Sequence, residues 1–340
     1  AASSVIRNAR SAVARSVNLT MVYAYFEIGR IIVEEEQGGE KRAEYGKQII
    51  KRLSMQLTKE FGKGYSIDNL KLMRRFYVVY SKEIIGETVI PQSANLPTTK
   101  NKRAFSLSWS HYLKLMRMED AGKRRFYEIE ADRSDWSVRE LQRQIDSGLY
   151  ERIALSKDPE GTNRLAKDGQ SLEKPADIIK DPYILEFLGL KEESSYSESE
   201  LEEKIIDNLQ DFMLELGRGF TFVGRQQRFT YEEDHFMVDL VFYNRLLRCF
   251  VLLDLKIGKL AHQDIGQMQM YVHYYDRCVK LEEENPTIGI LLCQDKNDAV
   301  VEMTLPEGNG QIFASRYKTV LPSKEELQKL LSEANEVQGH

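Results

Sequence analysis

Two acidic residues and a lysine in the second half of the chain have the types and the spacing of a hydrolytic centre. Asp239 lies near the end of one apolar run, and Asp254 and Lys256 close the next one. A hard cation such as Mg²⁺ prefers carboxylate oxygens, and it can activate a water and hold a phosphate oxygen. A lysine beside it can orient that water or offset developing negative charge. The simpler alternative is that Asp254 and Lys256 only mark the place where a buried strand meets solvent.

A hairpin would bring these side chains together. Residues 236–243 and 249–256 are rich in β-branched, aromatic and leucine residues, and they flank the short polar segment 244–245. This pattern predicts two antiparallel strands joined by a tight turn. Because side chains alternate across a strand, the acid and the lysine of the second strand project from one face, and the turn returns Asp239 beside them. Charges in such an apolar setting are costly unless they are paired or bind a metal.

These residues and their surroundings resemble a known family. Asp239, Asp254 and Lys256 resemble the metal-binding signature of the PD-(D/E)xK nuclease superfamily. The segments LELG at 214–217 and FVGRQ at 222–226 resemble the bacterial YhcG-like group, in which such a nuclease domain follows an N-terminal helical domain. The resemblance extends over nearly the whole chain. Asp254 stands where that group more often has Glu, which the superfamily also accepts.

The resemblance implies a fold, an activity and a cofactor. The fold is of the mixed α+β or α/β class, with a restriction-endonuclease-like α-β-β-β-α-β domain after the helical one. The activity is the cleavage of phosphodiester bonds in DNA with Mg²⁺, for which Mn²⁺ is the expected substitute. A place in restriction, defence or DNA processing is implied as well.

Predicted elements divide the chain into a helical first part and a mixed second part. Apolar residues at helical spacing predict helices, and β-branched runs predict strands. The predicted helices cover residues 5–37, 44–61, 67–82, 105–118, 123–131, 137–149, 181–190, 201–216, 264–277 and 323–333, and the predicted strands cover 220–230, 236–243, 249–256, 287–293 and 311–315. We therefore predict a helical domain at 1–157, a linker with a short packing helix at 158–198, a nuclease domain at 199–322 and a C-terminal helix at 323–340.

The resemblance implies two further site residues. In the superfamily the helix before the first strand often supplies an acid to the metal site, and Glu202 matches that position. Glu202 could instead form a capping box with Ser199, and Glu203 is the next candidate. Gln267 lies one turn into the helix after the lysine, where related nucleases place a glutamine near the site or the DNA. It could instead hydrogen-bond the sheet edge, and Gln269 is the next candidate.

The first part of the chain is basic and suits a polyanionic partner. Residues 1–157 hold 28 Lys and Arg against 19 Asp and Glu, whereas the remainder holds 20 against 34. The second and third predicted helices, joined by a glycine-bearing turn, resemble a helix-turn-helix or winged-helix element. Lys71, Arg74 and Arg75 lie off the buried face and are candidate contacts to nucleic acid. A helical hairpin with a solvated basic face is the alternative.

Missing motifs narrow the class of protein. The sequence has no Walker A loop, no GxGxxG, no GxSxG and no zinc-type histidine spacing. No run approaches the roughly 20 apolar residues of a membrane span. The N-terminus has no apolar signal core, and the three cysteines form no CxxC pair. We therefore expect a cytoplasmic protein with reduced core cysteines and no membrane partner.

DNA is the expected partner of the whole chain. A protein partner for the N-terminal domain and a homo-oligomer both stay open. Two rivals to a DNA nuclease also stay open: an RNA nuclease, and a non-catalytic binding module that keeps the nuclease fold.

Overall fold

The chain divides into two units, Ala1–Leu141 and Gln142–His340, in the computed structural model. The domain limits expected from the sequence stay a prediction. The structure describes residues 2–37, 42–87, 105–154, 159–190, 196–231, 233–323 and 325–326.

Aromatic rings form the core of the first unit, whose described elements are all helices. The ring of Phe76 is fully buried, and its centroid lies 4.9 Å from that of Phe105 and 5.7 Å from that of Phe26. Ring pairs at such distances stabilise a fold beyond the burial of their area. The helices are α1 (Ala2–Gln37), α2 (Arg42–Phe61), α3 (Ile67–Glu87), α4 (Trp109–Leu115), α5 (Ala121–Arg133) and α6 (Val138–Asp146), and α6 crosses the division between the units.

Two helices of this region are shorter than the sequence predicted. The helix expected at 105–118 is only α4, because Phe105 and Leu107 are buried ahead of it and the next residue takes an extended N-cap conformation. The helix expected at 137–149 ends early, because Gly148 has a φ of 65°. That left-handed conformation suits glycine and ends helices. Burial of the residues before α4 thus set where that helix begins, and the backbone conformation of Gly148 set where α6 ends.

A mixed sheet of six strands forms the centre of the second unit. The strands are β1 (Tyr183–Ile184), β2 (Phe220–Tyr231), β3 (Asp234–Asn244), β4 (Cys249–Lys259), β5 (Ile288–Asp295) and β6 (Ile312–Lys318). The remaining helices are α7 (Leu149–Ala154), α8 (Pro159–Asp168), α9 (Glu198–Asp207), α10 (Leu209–Leu216), α11 (His262–Tyr274) and α12 (Asp298–Thr304). The strand order is β1-β6-β5-β4-β3-β2, with antiparallel pairing among β2, β3 and β4 and parallel pairing elsewhere. The predicted α-β-β-β-α-β order is confirmed.

Helices cover both faces of this sheet. On one face, Leu201 of α9 and Phe212 of α10 pack in the same core as Leu253 of β4. On the other face, Met268 and Val272 of α11 pack in a second core. A strand buried on both faces reads as a nearly continuous apolar run. This is why β4 is apolar until its end, where the acid and the lysine follow.

The described part of the region between the two predicted domains contains regular elements. Helix α8 begins at Pro159, where the missing N–H of proline costs nothing, and it buries Leu165. The helix expected at 181–190 is wrong, because Tyr183 pairs with Tyr317 in a parallel ladder as β1. A short apolar run does not distinguish a strand from a buried helix. A 3₁₀ helix follows this strand.

Other helix boundaries of the second unit also differ from the prediction. The helix expected at 201–216 begins earlier, at Glu198, and is interrupted at Asn208, which leaves helical geometry with φ −115°. The helix expected at 264–277 ends as a turn of π-helix after α11. Helix α12 was not predicted. Most of the helix expected at 323–333 lies outside the described residues.

Two expectations about the chain as a whole have mixed outcomes. Cys249 and Cys293 are buried free thiols, as expected, but Cys278 is exposed because it lies in the π-helical turn. The prediction of three core cysteines is therefore wrong for Cys278. Within the part of the chain that the structure describes, no helix combines the length and the apolar character needed to cross a membrane.

A fully buried carboxylate, Glu215 of α10, ties several segments of the second unit together. Its oxygens lie 2.5 Å from Arg152 and 3.0 Å from Arg143, and one of them accepts a hydrogen bond of 3.0 Å from the backbone of Ile184. Burial alone would raise the pKa of Glu215, but Arg152, Lys180 and Arg143 lower it to about 2. In the folded state the ionised form of Glu215 is therefore favoured over the protonated form.

Replacing Glu215 should show how much the second unit depends on this cluster. Glu215→Gln leaves buried guanidinium groups without their carboxylate, so we expect a loss of about 3–5 kcal/mol at neutral pH in urea unfolding. Because the folded-state pKa is depressed, the stabilisation is present above the usual pKa of 4.5 and is lost as the pH falls through about 2. The difference between the variant and the wild type should therefore shrink in that window. Glu203→Gln, an exposed control, should change stability by less than about 0.5 kcal/mol. Equal losses in both variants would contradict this account.

Gly29 allows α1 and α3 to approach closely. A Cβ at Gly29 would overlap the backbone carbonyl of Met73, which cannot move aside without shifting α3. Glycine to alanine normally stabilises a helix interior by about 1 kcal/mol, but here we expect a loss of about 1–3 kcal/mol in thermal unfolding. Gly266→Ala in α11 is the matched control, because a Cβ there meets open space. If Gly29→Ala were as stable as Gly266→Ala, the two helices would not be in contact at this point.

Candidate active site

The hairpin of β3 and β4 places the two predicted acids opposite each other. The last pair of the ladder toward this end joins Leu240 to Leu253, and Asp239 and Asp254 occupy the next position on each strand. Oδ2 of Asp239 accepts a hydrogen bond of 2.8 Å from the backbone N–H of Leu255. The Asp239 side chain therefore takes the place of a ladder carbonyl at the point where the strands separate.

Lys256 lies beside this pair of acids. Its ammonium nitrogen is 2.7 Å from Oδ2 of Asp254, which is buried and forms no hydrogen bond of standard geometry within the described residues. Leu253 and Leu255 belong to the core that α9 and α10 cover. Because side chains alternate along β4, the acid and the lysine face the side of α11. The structure thus brings Asp239, Asp254 and Lys256 together, as their spacing predicted.

Burial disfavours the ionised forms of the two carboxylates in this cluster unless further positive charge is present. Burial first, and then the neighbouring Asp239, raise the pKa of Asp254 to about 7. Burial also raises the pKa of Asp239. The pKa of Lys256 would be lowered by burial, but its ion pair with Asp254 raises it above the usual value. One ammonium thus faces two carboxylates that both resist ionisation.

Glu202 reaches the same end of the sheet through a glutamine. Glu202 is buried on α9, and its Oε2 accepts a hydrogen bond from Nε2 of Gln226. The same Nε2 donates to Oδ1 of Asp239 at 3.1 Å. Burial raises the pKa of Glu202. Its carboxylate is therefore linked to that of Asp239 by one amide group.

The alternatives considered for Glu202 have clear outcomes. The capping box with Ser199 is wrong, because the cap of α9 is formed by Ser197 and Glu200. Helix α9 begins three residues earlier than predicted, which moves the cap by two positions. Glu203, the next candidate, is exposed.

Gln267 contacts the site through a tyrosine. Gln267 is exposed on α11. Its Nε2 donates a hydrogen bond to the hydroxyl of Tyr271, which is a buried residue. Burial raises the pKa of Tyr271, and the carboxylates of Asp254 and Asp239 raise it further. The hydroxyl therefore contacts Gln267 and is close enough to the acids to respond to their charge. Gln269, the next candidate, is partly buried on the same helix.

Glu198 is a site residue that the sequence analysis missed. It is the first residue of α9, its Oε2 lies 3.8 Å from the ammonium of Lys256, and its Oε1 accepts a hydrogen bond of 3.2 Å from the backbone of Ile257. The helix was predicted to begin after this residue, so its spacing carried no signal. Gln226 was visible only as part of a segment that resembles the family. Tyr271 was visible as a residue four places after Gln267 on one helix face.

The predicted nucleic-acid contacts of the first unit already have partners within that unit. Helices α2 and α3 are joined by a turn in which Gly62 and Gly64 have φ of 81° and 120°. The resemblance of this element to a helix-turn-helix stays a prediction. Each predicted cation contacts a neighbour: Lys71 with Asp68 at 3.2 Å, Arg74 with Glu36 at 2.6 Å and Arg75 with the carbonyl of Met116 at 2.8 Å. By contrast, an exposed set of cations on and just after α2 has no such contact among the described residues: Lys51, Arg52, Lys59 and Lys63.

The acids at the end of β3 and β4 fit a hard divalent cation. No group of three or more His, Cys, Asp or Glu side chains within the described ranges is arranged to enclose a metal. Mg²⁺ does not need such a cage, because it commonly binds one or two carboxylates and keeps several waters. Asp254 offers a buried carboxylate, whose Oδ2 is paired with the Lys256 ammonium, next to the second carboxylate of Asp239. The donor set therefore fits a hard divalent cation.

The fold and the site define a nuclease of the PD-(D/E)xK type. A family model described as the YhcG PDDEXK nuclease domain matches residues 176–332, and one described as the DUF1016 N-terminal domain matches residues 1–152. The chain is 43% identical over 338 residues to "Putative nuclease YhcG" of Escherichia coli (strain K12), an alignment that covers 95% of this chain and 90% of that protein. The chain belongs to the YhcG family of nucleases, which join these two domains.

Solved structures show more distant likenesses. A repair endonuclease from Pyrococcus abyssi aligns at 19% identity and a TM-score of 0.25, over 39% of this chain and 50% of that one. An EndoMS–dsDNA2 complex aligns at 17% identity and a TM-score of 0.27, over 40% of this chain and 50% of that one. Similarity at this level bears on neither the substrate nor the mechanism of the present chain.

Proposed function

We propose that the second unit hydrolyses phosphodiester bonds in DNA with the help of a divalent cation. The observation that carries this proposal is the meeting of the Asp239 and Asp254 carboxylates with the Lys256 ammonium at one end of β3 and β4. Membership of the YhcG nuclease family supports the reaction class. The excess of cations in the first half of the chain supports a polyanionic substrate.

Asp239 and Asp254 are the residues that would hold the cation, and Glu202 would assist through its link to Asp239. Mg²⁺ is the proposed ion, and Mn²⁺ is the expected substitute. When bound, such an ion supplies Lewis acidity toward a phosphate oxygen and lowers the pKa of a bound water.

Lys256 has a role that follows from its position beside Asp254. Its ammonium nitrogen lies 2.7 Å from Oδ2 of Asp254, at the place where the proposed cation and its water would lie. It can donate hydrogen bonds to the attacking water and offset the charge that develops on phosphorus-bound oxygens. In the reaction the water oxygen bonds to phosphorus and releases a proton to solvent, while the bond to the leaving oxygen breaks and that oxygen keeps the electron pair and takes a proton from solvent. We propose that Gln267, held by Tyr271, contacts the substrate beside this centre.

Two other functions compete with this proposal. An RNA nuclease would use the same centre, and a non-catalytic binding module would keep the fold without turnover. Incubation of the full chain with plasmid, linear and branched DNA and with RNA, each with and without Mg²⁺ or Mn²⁺, separates the three. Cation-dependent cleavage of DNA is the expected result. A role in restriction, defence or DNA processing stays a prediction.

Lys256 and Asp254 provide the sharpest test of the centre. Lys256→Ala should lower the cleavage rate by about 10²-fold or more while folding and DNA binding persist, because the transition state loses a charge. Asp254→Asn should abolish cleavage and remove the rise in melting temperature that a cation bound only by the folded state produces.

Lys259→Ala is the matched control for Lys256→Ala, because Lys259 is an exposed lysine near the end of the same strand. It should cleave like the wild type. Equal cleavage by wild type, Lys256→Ala and Asp254→Asn would place the activity elsewhere. A wild type that neither cleaves nor responds to cations would favour the binding module.

The salt dependence of DNA binding tests the first unit. In the cleavage-deficient Asp254→Asn chain, alanine at Lys51, Arg52 and Lys59 should flatten the slope of log K against log salt by about one unit for each phosphate that is no longer neutralised. These exposed cations are free to approach phosphates. Alanine at the predicted set of Lys71, Arg74 and Arg75 provides the comparison. A slope that changes with neither set would assign the cations to a protein partner or to solvent.

A further inference from the structure

Gln226 has a backbone conformation that its position in a strand does not explain. Its φ is 45°, in the left-handed region that costs non-glycine residues energy. Of the three non-glycine residues with positive φ in the described part of the chain, Asp135 and Arg248 lie in turns, and Gln226 lies inside β2. Strained residues of this kind concentrate at functional sites.

The left-handed backbone at Gln226 interrupts the ladder at one position. The flanking residues still pair with β3, Arg225 with Leu240 and Gln227 with Val238. Gln226 and Asp239 face each other between these pairs without pairing themselves. A separate register shift lies earlier in β2, between Phe222 and Gly224. The turn of the backbone at Gln226 directs its side chain toward Asp239 at the end of the sheet.

The side chain of Gln226 joins two carboxylates that would otherwise repel each other. Its Nε2 donates to Oε2 of Glu202 and, at 3.1 Å, to Oδ1 of Asp239. An amide nitrogen carries two hydrogens, so each carboxylate can receive one. The other oxygen of Asp239 is held by the N–H of Leu255. Asp239 is thus fixed from both neighbouring strands, and Glu202 is fixed through Gln226.

We infer that Gln226 is a positioning residue that orients Glu202 and Asp239 for cation binding. The inference rests on the proposed function, because it requires these carboxylates to be cation ligands. Groups that hydrogen-bond to metal ligands fix the ligand orientation, and their loss typically weakens metal affinity or activity by about 10- to 100-fold. The strained left-handed backbone of Gln226 costs the conformational free energy required to hold the two carboxylates in this orientation.

Gln226→Gly separates the positioning role from a structural one. Glycine adopts a positive φ without strain, which offsets the loss of the two hydrogen bonds of the amide, so the unfolding midpoint in cation-free buffer should change little. The affinity of the full chain for Mn²⁺, measured by titration calorimetry, should weaken about 10- to 100-fold. Cleavage should recover toward the wild-type rate at saturating Mn²⁺, because Asp239, Asp254 and Lys256 remain.

Two comparisons control this experiment. Gln227→Ala changes the exposed neighbour of the same residue type and should leave Mn²⁺ affinity unchanged. In a Glu202→Gln background, Gln226→Gly should cost less affinity than in the wild type, because both substitutions act on one contact.

The outcomes distinguish this inference from the proposal on which it rests. A Gln226→Gly chain that binds Mn²⁺ as tightly as the wild type, or losses that simply multiply in the double variant, would overturn the inference alone. A lower unfolding midpoint without recovery at saturating Mn²⁺ would also overturn it, because Gln226 would then be structural. A wild type that binds no Mn²⁺ would overturn both the inference and the proposed function.

Discussion

Mutual repulsion between buried carboxylates is the constraint on which the second unit is organised. Asp239 and Asp254 sit opposite each other at the end of two paired strands, and burial raises the pKa of both. Placing acids there costs free energy, which the protein offsets with Lys256, with the Leu255 N–H and with the Gln226 amide. The same arrangement that is unfavourable in the absence of a cation is the one that a divalent cation would stabilise.

A rigid support keeps these side chains in place. Cores on both faces of the sheet bury most of β4 before the site begins, so the polar residues lie at its end rather than along its length. Elsewhere in the unit, Glu215 of α10 forms buried ion pairs with Arg143 and Arg152. Breaking one partner of such a network is costly, because it leaves an unpaired charge in the interior. The carboxylate of Glu215 is thus matched by buried cations, whereas the acids at the end of β3 and β4 share one ammonium.

In the first unit, some basic residues form contacts within the fold and others face solvent. A count of charges does not distinguish a cation that pairs with its own fold from one that faces solvent. Arg74 and Arg75 are held by Glu36 and by the carbonyl of Met116, whereas Lys51 and Lys59 on α2 are exposed. An exposed ion pair contributes little free energy, so a cation that forms one can still exchange its partner for a phosphate. The exposed cations of α2 and the predicted cations of α3 are therefore both candidates for phosphate binding.

The sequence by itself determined the hairpin, the face shared by Asp254 and Lys256, and the α-β-β-β-α-β order of the elements along the chain, because period-two alternation and apolar runs are local properties. The tertiary structure decided the rest. Glu198 and Gln226 come from segments far apart in the chain, and only the twist of β2 and the early start of α9 bring them to the acids. Strand β1 required a partner 134 positions later, Tyr317 for Tyr183, which no local pattern encodes. Contacts between distant segments depend on packing, and packing is not a property of any one stretch of sequence.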